Sequence, residues 1–452
     1  MLIQFTVENF LSFKGETVFS MLASSDDRHP SHIIQDKTGK PISILRTAAI
    51  YGPNASGKSN LIEAISFAHD LILNGTKSGQ AIQLNPFKLS KKNLASPSRF
   101  EFIIKHKGVV YSYGFVVNSK IVLQEWLFAT PEKKELRYFE RDKSNFDFGP
   151  SFTGNTAKKK QFINFVAQGT RPNQLFLTQS VDQNVEAVKP IVNWFKNVLT
   201  IVPAESIYNS LEMGVHKNKE FTKFLGDFLR AAGTGIEEIV TEELDVDIDK
   251  LFRGADESIK SKFRDKIADL EKNAALILTV PFGGRFVIAS KEKGKPVVVS
   301  LKTKHQSDFN GSVQFNIEEE SDGTQRLINL IPTLFELRNR AEIVFLIDEL
   351  DRRLHPLLTK MFLQSVLECC DEQKKSQVIF TTHDTNLLDL DILRRDEIWF
   401  IEKDSQGASH PYSLAEFKIR PDLKIGKGYL HGRFGAIPFI GNLNSIQHSH
   451  TG

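Results

Sequence analysis

The sequence predicts an α/β protein with a mixed sheet, an antiparallel β subdomain and an inserted helical subdomain. Three observations lead to this prediction. A glycine-rich loop at residues 52–57 stands between a strand pattern and a helix pattern, apolar runs at 343–347 and 377–382 alternate with helix patterns, and short strand patterns fill residues 100–127. Uninterrupted apolar runs are typical of parallel strands covered on both faces, whereas short turns between strands indicate an antiparallel arrangement.

Composition bounds the class of protein before any motif is considered. The chain has 452 residues, of which 40% are hydrophobic and 25% are charged, so it is long enough for two or three globular domains. Because 58 Lys and Arg residues nearly balance 55 Asp and Glu residues, a contact with nucleic acid would need a local basic patch. The adjacent Cys369 and Cys370 cannot form a disulfide framework, and no apolar run reaches the roughly 18 residues of a membrane span. We therefore expect a cytoplasmic protein without a membrane partner.

The first elements are predicted to be strands. Residues 2–8 and 17–21 alternate apolar and polar side chains on either side of a turn at Gly15, which indicates a β-hairpin, and a polar loop follows at 24–41. Beyond the glycine-rich loop, a helix is predicted to run to about Leu73, before Asn74-Gly75. The antiparallel subdomain then follows, with strands predicted at 100–104, 108–117 and 120–127.

The second half is predicted to be mainly helical at first. Helix patterns cover residues 157–202 and 209–275, and strands are predicted from 275 to 301 around a Gly283-Gly284 turn. Residues 324–452 read as helix, buried strand, helix, buried strand and a less regular tail. The predicted division is residues 1–200 for the N-terminal half of the main domain with its β subdomain, 201–304 for a helical and β insertion, and 305–452 for the C-terminal half.

The run Lys158-Lys159-Lys160 lies within the first of these helix patterns. We interpret it as a solvated helix face, and contact with a phosphate backbone is the alternative.

The glycine-rich loop has the pattern G-x-x-x-x-G-K-S in the order strand, loop, helix. In this pattern the glycines let backbone N–H groups surround a phosphate, and the helix N-terminus adds the positive end of its dipole. Lys58 is predicted to reach the terminal phosphates and Ser59 to offer its oxygen to Mg²⁺. A chance glycine-rich turn is the alternative, and the strand and helix on either side disfavour it. The residues predicted to bind the nucleotide here are Gly52, Pro53, Asn54, Ala55, Ser56, Gly57, Lys58, Ser59 and Asn60.

Two apolar runs end in residues suited to phosphate chemistry. The run 343–347 ends in Asp348-Glu349, and ligands of parallel sheets bind at the carboxyl ends of strands. Asp348 is predicted to hold Mg²⁺ through water and Glu349 to polarise the attacking water as general base. The run 377–382 precedes His383, which we predict to contact the γ-phosphate, with a purely structural histidine as the alternative. Since 290 positions separate Lys58 from Asp348, distant parts of the chain contribute the two halves of the site.

A third segment, residues 320–327, opens an apolar helix pattern just before the acidic strand. Ser321 is predicted to cap this helix, and Gly323 permits a close approach to its backbone. The segment therefore predicts a second helix N-terminus that binds an anion.

Together these segments resemble the Walker A, signature, Walker B and switch-histidine motifs of ABC-type ATPases. More narrowly, they resemble the soluble branch that holds the structural-maintenance-of-chromosomes and overcoming-lysogenisation-defect proteins. The chain is similar to the AAA-family ATPases of bacterial abortive-infection and anti-phage systems, the group of RloA, AbiL and the AriA subunit of PARIS. The resemblance covers most of residues 1–200 and 305–440. Outside the four motifs it is carried by Glu8-Asn9-Phe10, Ser12-Phe13, Leu350-Asp351, Leu354-His355-Pro356 and the tail from Gly428 to Pro438.

The resemblance implies ATP and Mg²⁺ as cofactors, and a site that is completed when two copies dimerise head to tail. Ser321, Gly323 and Gln325 would then meet the γ-phosphate of an ATP held by Lys58 of the second copy. Gln179 is our candidate for the glutamine that ligates Mg²⁺ in this family, with a plain surface glutamine as the alternative.

The signature segment departs from the family form at two residues. Asp322 and Thr324 stand where the transporter form has other residues, and Asp322 adds a negative charge near the triphosphate. This charge predicts either slow hydrolysis or a role of ATP as a conformational ligand, and the sequence leaves both open.

At the level of function, the resemblance implies an oligomeric ATPase that acts as sensor or regulator in bacterial anti-phage defence. No acidic cluster at nuclease spacing follows the ATPase motifs, so we expect the toxic output in a separately encoded effector, a nuclease and for example one of the Toprim type. The expected trigger is a phage protein or a nucleic acid. The alternative is a DNA-repair or DNA-end-binding ATPase related to structural-maintenance-of-chromosomes proteins. A transporter subunit is disfavoured by the inserted β subdomain.

Overall fold

The structure is a computed structural model, and it describes the chain except for residues 38–40, 209–210, 253, 255, 270–274, 281–283, 291–295, 310, 370–372, 420–423 and 439–452. Cys370 and Gly283, which the sequence analysis discussed, lie outside the described residues. Within the described part, no helix has the length and apolar character needed to cross a membrane.

Strands account for about half of the elements. In chain order they are β1 Leu2–Glu8, β2 Thr17–Ser20, β3 Ile33–Asp36, β4 Ile42–Leu45, β5 Thr47–Tyr51, β6 Ser98–His106, β7 Val109–Val117, β8 Val122–Thr130, β9 Leu136–Asp142, β10 Asn145–Phe148, β11 Leu199–Val202, β12 Ile236–Asp245, β13 Ala275–Val280, β14 Gly284–Ser290, β15 Pro296–Ser307, β16 Gly311–Asn316, β17 Glu342–Ile347, β18 Lys375–Thr381, β19 Ile398–Lys403 and β20 Ser409–Ser413.

The α-helices are α1 Lys58–Asn74, α2 Lys91–Leu94, α3 Pro150–Thr153, α4 Ala157–Gln168, α5 Phe176–Asp182, α6 Lys189–Asn193, α7 Leu211–Lys217, α8 Lys219–Ala231, α9 Ile248–Leu251, α10 Glu257–Ala268, α11 Asp322–Asn339, α12 Pro356–Glu368 and α13 Ile425–Leu430. A π-helical turn, Trp194–Val198, follows α6 directly.

The described chain forms two compact units. The first comprises Met1–Ala204, Arg340–Asp351 and Leu363–Gly452, and the second comprises Glu205–Asn339 and Arg352–Phe362.

The first unit contains the two large sheets. An antiparallel sheet has the order β10-β9-β8-β7-β6-β1-β2, and a mixed sheet has the order β11-β17-β18-β5-β19-β20. In the mixed sheet only β20 is antiparallel to its neighbour, and every residue of β5 is buried. The predicted α/β fold with a mixed sheet and an antiparallel β subdomain is therefore confirmed.

The second unit combines helices with a sheet in which β12, β15, β14 and β13 are neighbours and β16 pairs with β15. Two predictions of helix were wrong, one in the first unit and one in the second. Leu199–Val202 is a strand, because its β-branched residues pair in parallel with β17. Ile236–Asp245 is also a strand, and its acidic residues form salt bridges across to β15, with Glu242 2.6 Å from Lys302, instead of along a helix.

The N-terminal hairpin is confirmed, since β1 pairs with β2, and so is the end of α1 at Asn74, where Gly75 provides the cap. Strands β9 and β10 were not predicted, and they extend the antiparallel sheet beyond the three predicted strands. The alternation of β9 is interrupted by a shift of register against β8 and by Arg141, a charged residue on its buried face.

Candidate nucleotide-binding site

The site lies at the carboxyl ends of three adjacent strands of the mixed sheet. The glycine-rich loop follows β5, Asp348 and Glu349 follow β17, and His383 follows β18, which lies between the other two strands. Hydrogen bonds tie the three ends together: the Thr382 N–H donates to the Ile50 carbonyl at 3.1 Å, and the Leu350 N–H donates to the Thr381 carbonyl at 2.9 Å. Parallel strand order thus brings together residues that stand 290 positions apart.

The loop between β5 and α1 requires glycine at both ends for steric reasons. A Cβ on Gly52 would lie 2.4 Å from the Ile401 carbonyl oxygen, and one on Gly57 would lie 2.3 Å from Ser409 Oγ. Gly57 also has a φ of 115°, in the region that favours glycine. The backbone of the loop is therefore held tightly against β19 and β20 and leads directly into the N-terminus of α1.

Lys58 is the first residue of α1, and its side chain is buried in the loop. Its Nζ donates to the carbonyl oxygens of Gly52 at 2.9 Å and Pro53 at 3.1 Å. Burial lowers the pKa of Lys58 to about 8, although the nearby carboxylates of Asp348 and Glu349 act in the opposite direction. The ammonium group is thus held by the loop itself, within the cradle that would receive a phosphate.

Ser59 and Asp348 meet as the prediction of a magnesium site requires. The Ser59 hydroxyl donates to Asp348 Oδ1 at 3.1 Å, and the Thr381 hydroxyl donates to the same oxygen at 2.6 Å. Hydroxyl and carboxylate oxygens are the hard ligands that Mg²⁺ takes together with water and nucleotide phosphates. In the described part of the chain, no three or more His, Cys, Asp and Glu residues form a group that could hold a metal ion. The hydroxyl of Ser59 and the carboxylate of Asp348 are oxygen donors, so they fit Mg²⁺ brought by a nucleotide better than a resident transition metal.

Thr381 was not predicted from the sequence, although its position is central. Besides donating to Asp348, its hydroxyl accepts the Glu349 N–H at 2.7 Å, and Glu349 has a left-handed φ of 48°. A fully buried threonine at the last position of β18 therefore fixes both acidic residues at the end of β17. The sequence signal that could have identified Thr381 is a hydroxyl residue two positions before His383.

His383 follows β18 and faces solvent. Its backbone N–H donates to the carboxylate of Asp351, at 3.1 Å and 3.3 Å to the two oxygens. Desolvation and the charge of Lys58 lower the pKa of His383, with Asp351, Glu349 and Asp348 opposing. His383 is thus placed near Lys58 and the acidic residues.

Two serines support the loop from outside the predicted motif. Ser409, at the start of β20, donates its hydroxyl to the Ser56 carbonyl, and its N–H donates to the Ser12 carbonyl at 2.8 Å. The Asn60 side chain donates to Ser12 Oγ at 2.8 Å. Asn60 therefore contacts Ser12, one of the two serines that support the loop. The conformation of the loop depends on Ser12 and Ser409 as well as on its own residues.

The prediction that Gln179 ligates Mg²⁺ does not agree with the structure. Gln179 lies in α5, where the preceding Thr178 donates its hydroxyl to the Ile72 carbonyl at 2.8 Å. Ile72 lies about 20 Å along α1 from Lys58, at about 1.5 Å per residue. That distance exceeds the reach of a glutamine side chain, so Gln179 is withdrawn as a metal ligand.

The predicted signature residues belong to the second unit, at the start of α11. Ser321 Oγ accepts the Thr324 N–H at 3.2 Å, so the serine caps the helix as expected. A Cβ on Gly323 would lie 2.7 Å from the Arg353 carbonyl oxygen, which explains the glycine. Gln325 donates from Nε2 to the Glu320 carbonyl at 2.8 Å.

Arg353 also lies 3.5 Å from Asp322, the residue whose charge predicts either slow hydrolysis or a role of ATP as a conformational ligand. Because both side chains are exposed, this ion pair offsets the charge of Asp322 only in part.

None of the curated proteins matches the chain. Among the solved structures that match, two are similar over most of both chains. One is the SmcHead bound to the C-winged helix domain of ScpA, with 13% identity, 91% of this chain and 97% of that chain covered and a TM-score of 0.41. The other is the SMC head domain from Thermotoga maritima, with 13% identity, coverage of 92% and 99% and a TM-score of 0.35.

The predicted P-loop ATPase head is confirmed as a fold by the strand order, the loop and the acidic strand end described above. The family described as "AAA domain, putative AbiEii toxin, Type IV TA system" matches residues 48–389, about three quarters of the sequence. The chain therefore belongs to this family of AAA domains.

Proposed function

We propose that the protein binds ATP with Mg²⁺ and hydrolyses it. The observation that carries this proposal is the hydrogen-bonded set of Ser59, Asp348 and Thr381 beside the Lys58 loop. Lys58 and the loop N–H groups bind the phosphates, Ser59 and Asp348 hold the metal, and Glu349 accepts a proton from the attacking water. His383 donates a ring N–H to the γ-phosphate.

The first experiment compares two variants with the unchanged protein. Glu349→Gln is expected to retain ATP binding and to lower turnover by at least about 100-fold, because the general base is lost. Lys58→Ala is expected to lose ATP binding. Glu63→Gln and Lys77→Ala, both at exposed positions, are the matched controls. Unchanged hydrolysis in Glu349→Gln would remove Glu349 from its role, and retained ATP affinity in Lys58→Ala would contradict the phosphate site.

Two copies of the chain complete each site in our proposal, one offering the Lys58 loop and the other the capped N-terminus of α11. The helix N-terminus with Ser321 and Gly323 is suited to a γ-phosphate because the helix dipole has its positive end there and Gly323 lets a phosphate approach the backbone closely. The mass of Glu349→Gln in solution is expected to double on addition of ATP and Mg²⁺. A mass that stays that of one chain would contradict the dimer.

The biological role that we propose is regulation of a separately encoded toxic effector, a nuclease, in bacterial defence against phage. The support is the family, whose description names a putative AbiEii toxin and a type IV toxin–antitoxin system. A pull-down from the native host, with and without ATP, is expected to recover such a nuclease. Direct binding to DNA that weakens steeply with salt, without a nuclease partner, would favour the alternative of a DNA-repair ATPase.

A further inference from the structure

A cavity of about 660 Å³ lies beside the hairpin of β15 and β16 in the second unit. The lining includes three apolar residues, Phe309, Val313 and Phe315, which we call the apolar side. It also includes three acidic residues, Asp308, Glu319 and Glu320, which we call the acidic side. Neither the nucleotide nor its metal ion is expected to use any of these residues, so the cavity needs an explanation of its own.

The apolar side is unusually open for aromatic residues. Phe309 is 75% exposed and Phe315 is 37% exposed, so the two rings have not found cover within their own unit. Phe315 is held in place by an edge contact with the ring of His305, with centroids 5.1 Å apart. Phe315 is therefore positioned by His305, and both rings are open to a partner.

The acidic side gives the cavity a negative charge. Asp308 and Glu319 form no salt bridge with any residue that the structure describes, and Glu319 accepts only the Asn316 N–H, at 2.7 Å. Apolar side chains near the carboxylates of Asp308 and Glu319 are complementary to a cationic group next to an apolar side chain. In addition, β16 pairs with β15 and with no other strand of the described residues, which leaves an edge for an extended peptide.

Glu320 connects the cavity to the signature segment. Its carboxylate accepts hydrogen bonds from the buried Thr303 hydroxyl and from His305 Nε2, the latter at 2.7 Å. Its carbonyl accepts the Gln325 side chain at 2.8 Å, and the next residue is the cap of α11, Ser321. Glu320 therefore lines the cavity, precedes Ser321 in the chain and accepts a hydrogen bond from Gln325.

We propose that this cavity binds an extended, basic segment of a protein partner that carries an apolar side chain, and that binding is transmitted through Glu320 to the signature helix. The binding step stands independently of the proposed ATPase function, whereas the transmission step rests on it. In this proposal, the hairpin of β15 and β16 is the part of the molecule that detects the partner.

The binding step is tested with a fluorescein-labelled decapeptide of alternating lysine and leucine, followed by fluorescence anisotropy on the full chain. We expect saturable binding, no binding of the matched peptide of alternating glutamate and leucine, and a Kd about tenfold higher for Phe309→Ser and for Asp308→Lys. Phe165→Ser, at another exposed phenylalanine in the first unit, is the control and is expected to bind normally.

Three outcomes would overturn the proposal: no binding of the lysine peptide, equal binding of both peptides, or an unchanged Kd in Phe309→Ser. A mass that shows self-association of the free protein, abolished by Phe309→Ser, would also overturn it, because the occupant would then be a second copy.

The transmission step is tested by the rate of ATP hydrolysis with saturating peptide. We expect the peptide to change the rate of the unchanged protein at least about threefold, within the usual size of coupling between sites. Thr303→Val removes the buried hydroxyl bond to Glu320 without lining the cavity, so it is expected to keep the peptide Kd and to lose most of the rate change. Peptide binding without a rate change in an active enzyme would overturn transmission alone, and an inactive enzyme that still binds peptide would contradict only the proposed function.

Discussion

Thr381 decides the positions of both acidic residues in the nucleotide site. Its hydroxyl donates to Asp348 and accepts the N–H of Glu349, so one buried group orients the proposed metal ligand and the proposed general base together. We therefore expect Thr381 to act through these two neighbours.

We predict that Thr381→Val lowers ATP turnover by about 10–100-fold while the Kd for ATP changes much less, because valine keeps the shape and loses both hydrogen bonds. Steady-state hydrolysis and a nucleotide titration measure the two effects separately. Thr381→Ser retains the hydroxyl and is expected to stay close to the unchanged protein. An equal loss of turnover in both variants would show that packing, and not the hydroxyl, is what matters.

Lys58 gives the site a dependence on pH. In the free protein burial lowers its pKa to about 8, and a bound triphosphate favours the charged form and raises that pKa. ATP affinity is therefore highest at pH values below 8. Above pH 8 the affinity falls by about tenfold per pH unit, until the pKa of Lys58 in the complex is reached.

Calorimetric titrations with ATP between pH 7 and 9.5 check this expectation, together with proton uptake on binding near pH 9. Lys58→Arg stays charged over this range, so its affinity is expected to change little with pH. A flat profile for the unchanged protein would mean that Lys58 is already fully charged in the free loop.

At the scale of the element, the strand, loop and helix formed by β5, residues 52–57 and α1 are locally specified but are held by other parts of the chain. Ser12 from the N-terminal region and Ser409 from β20 both lie against Gly57. The loop is thus held at Gly57, where a larger side chain would collide with both serines.

We expect Gly57→Ala to abolish ATP binding and to lower the free energy of unfolding by about 1–3 kcal/mol, since its φ of 115° is strained for alanine and its Cβ would collide with Ser409. Denaturant unfolding and a nucleotide titration measure the two effects. Gly15→Ala, which has open space around it, is the control. Normal ATP binding in Gly57→Ala would show that the loop adapts.

Elements differ in how well the sequence specified them. The helix after the loop and the three central strands of the antiparallel sheet were predicted because their own apolar spacing is regular. In contrast, β11 and β12 were predicted as helix. The spacing of charges in β12 suits helical pairs as well as strand pairs, and only the presence of Lys302 and Lys304 on β15 decides between them.

At the scale of the whole molecule, Gln377 joins three sheets of the first unit. Its buried side chain accepts the Leu2 N–H at 2.6 Å and donates to the Leu2 carbonyl at 3.0 Å and the Leu45 carbonyl at 2.9 Å. One glutamine on β18 therefore connects the strand beside the acidic motif with β1 and β4.

Gln377→Leu is predicted to lower the free energy of unfolding by about 3 kcal/mol, because it leaves buried backbone groups of Leu2 and Leu45 without partners. Thermal and denaturant unfolding measure this loss. Gln35→Leu, at an exposed position of β3, is the matched control and is expected to change stability little. Equal stability of the two variants would show that the connection contributes nothing.

The sequence alone predicted the nucleotide site that we propose, because residues 47–59 carry strand, loop, lysine, serine and the start of a helix within one continuous segment. It also located Asp348, Glu349 and His383, since each directly follows an uninterrupted apolar run. Only the tertiary structure identified Thr381, Ser409 and Gln377, and only it removed Gln179. The physical reason is that the roles of these four residues depend on which strands and helix ends become neighbours, and hydrogen bonds across tens to hundreds of positions leave no periodic signal in the chain.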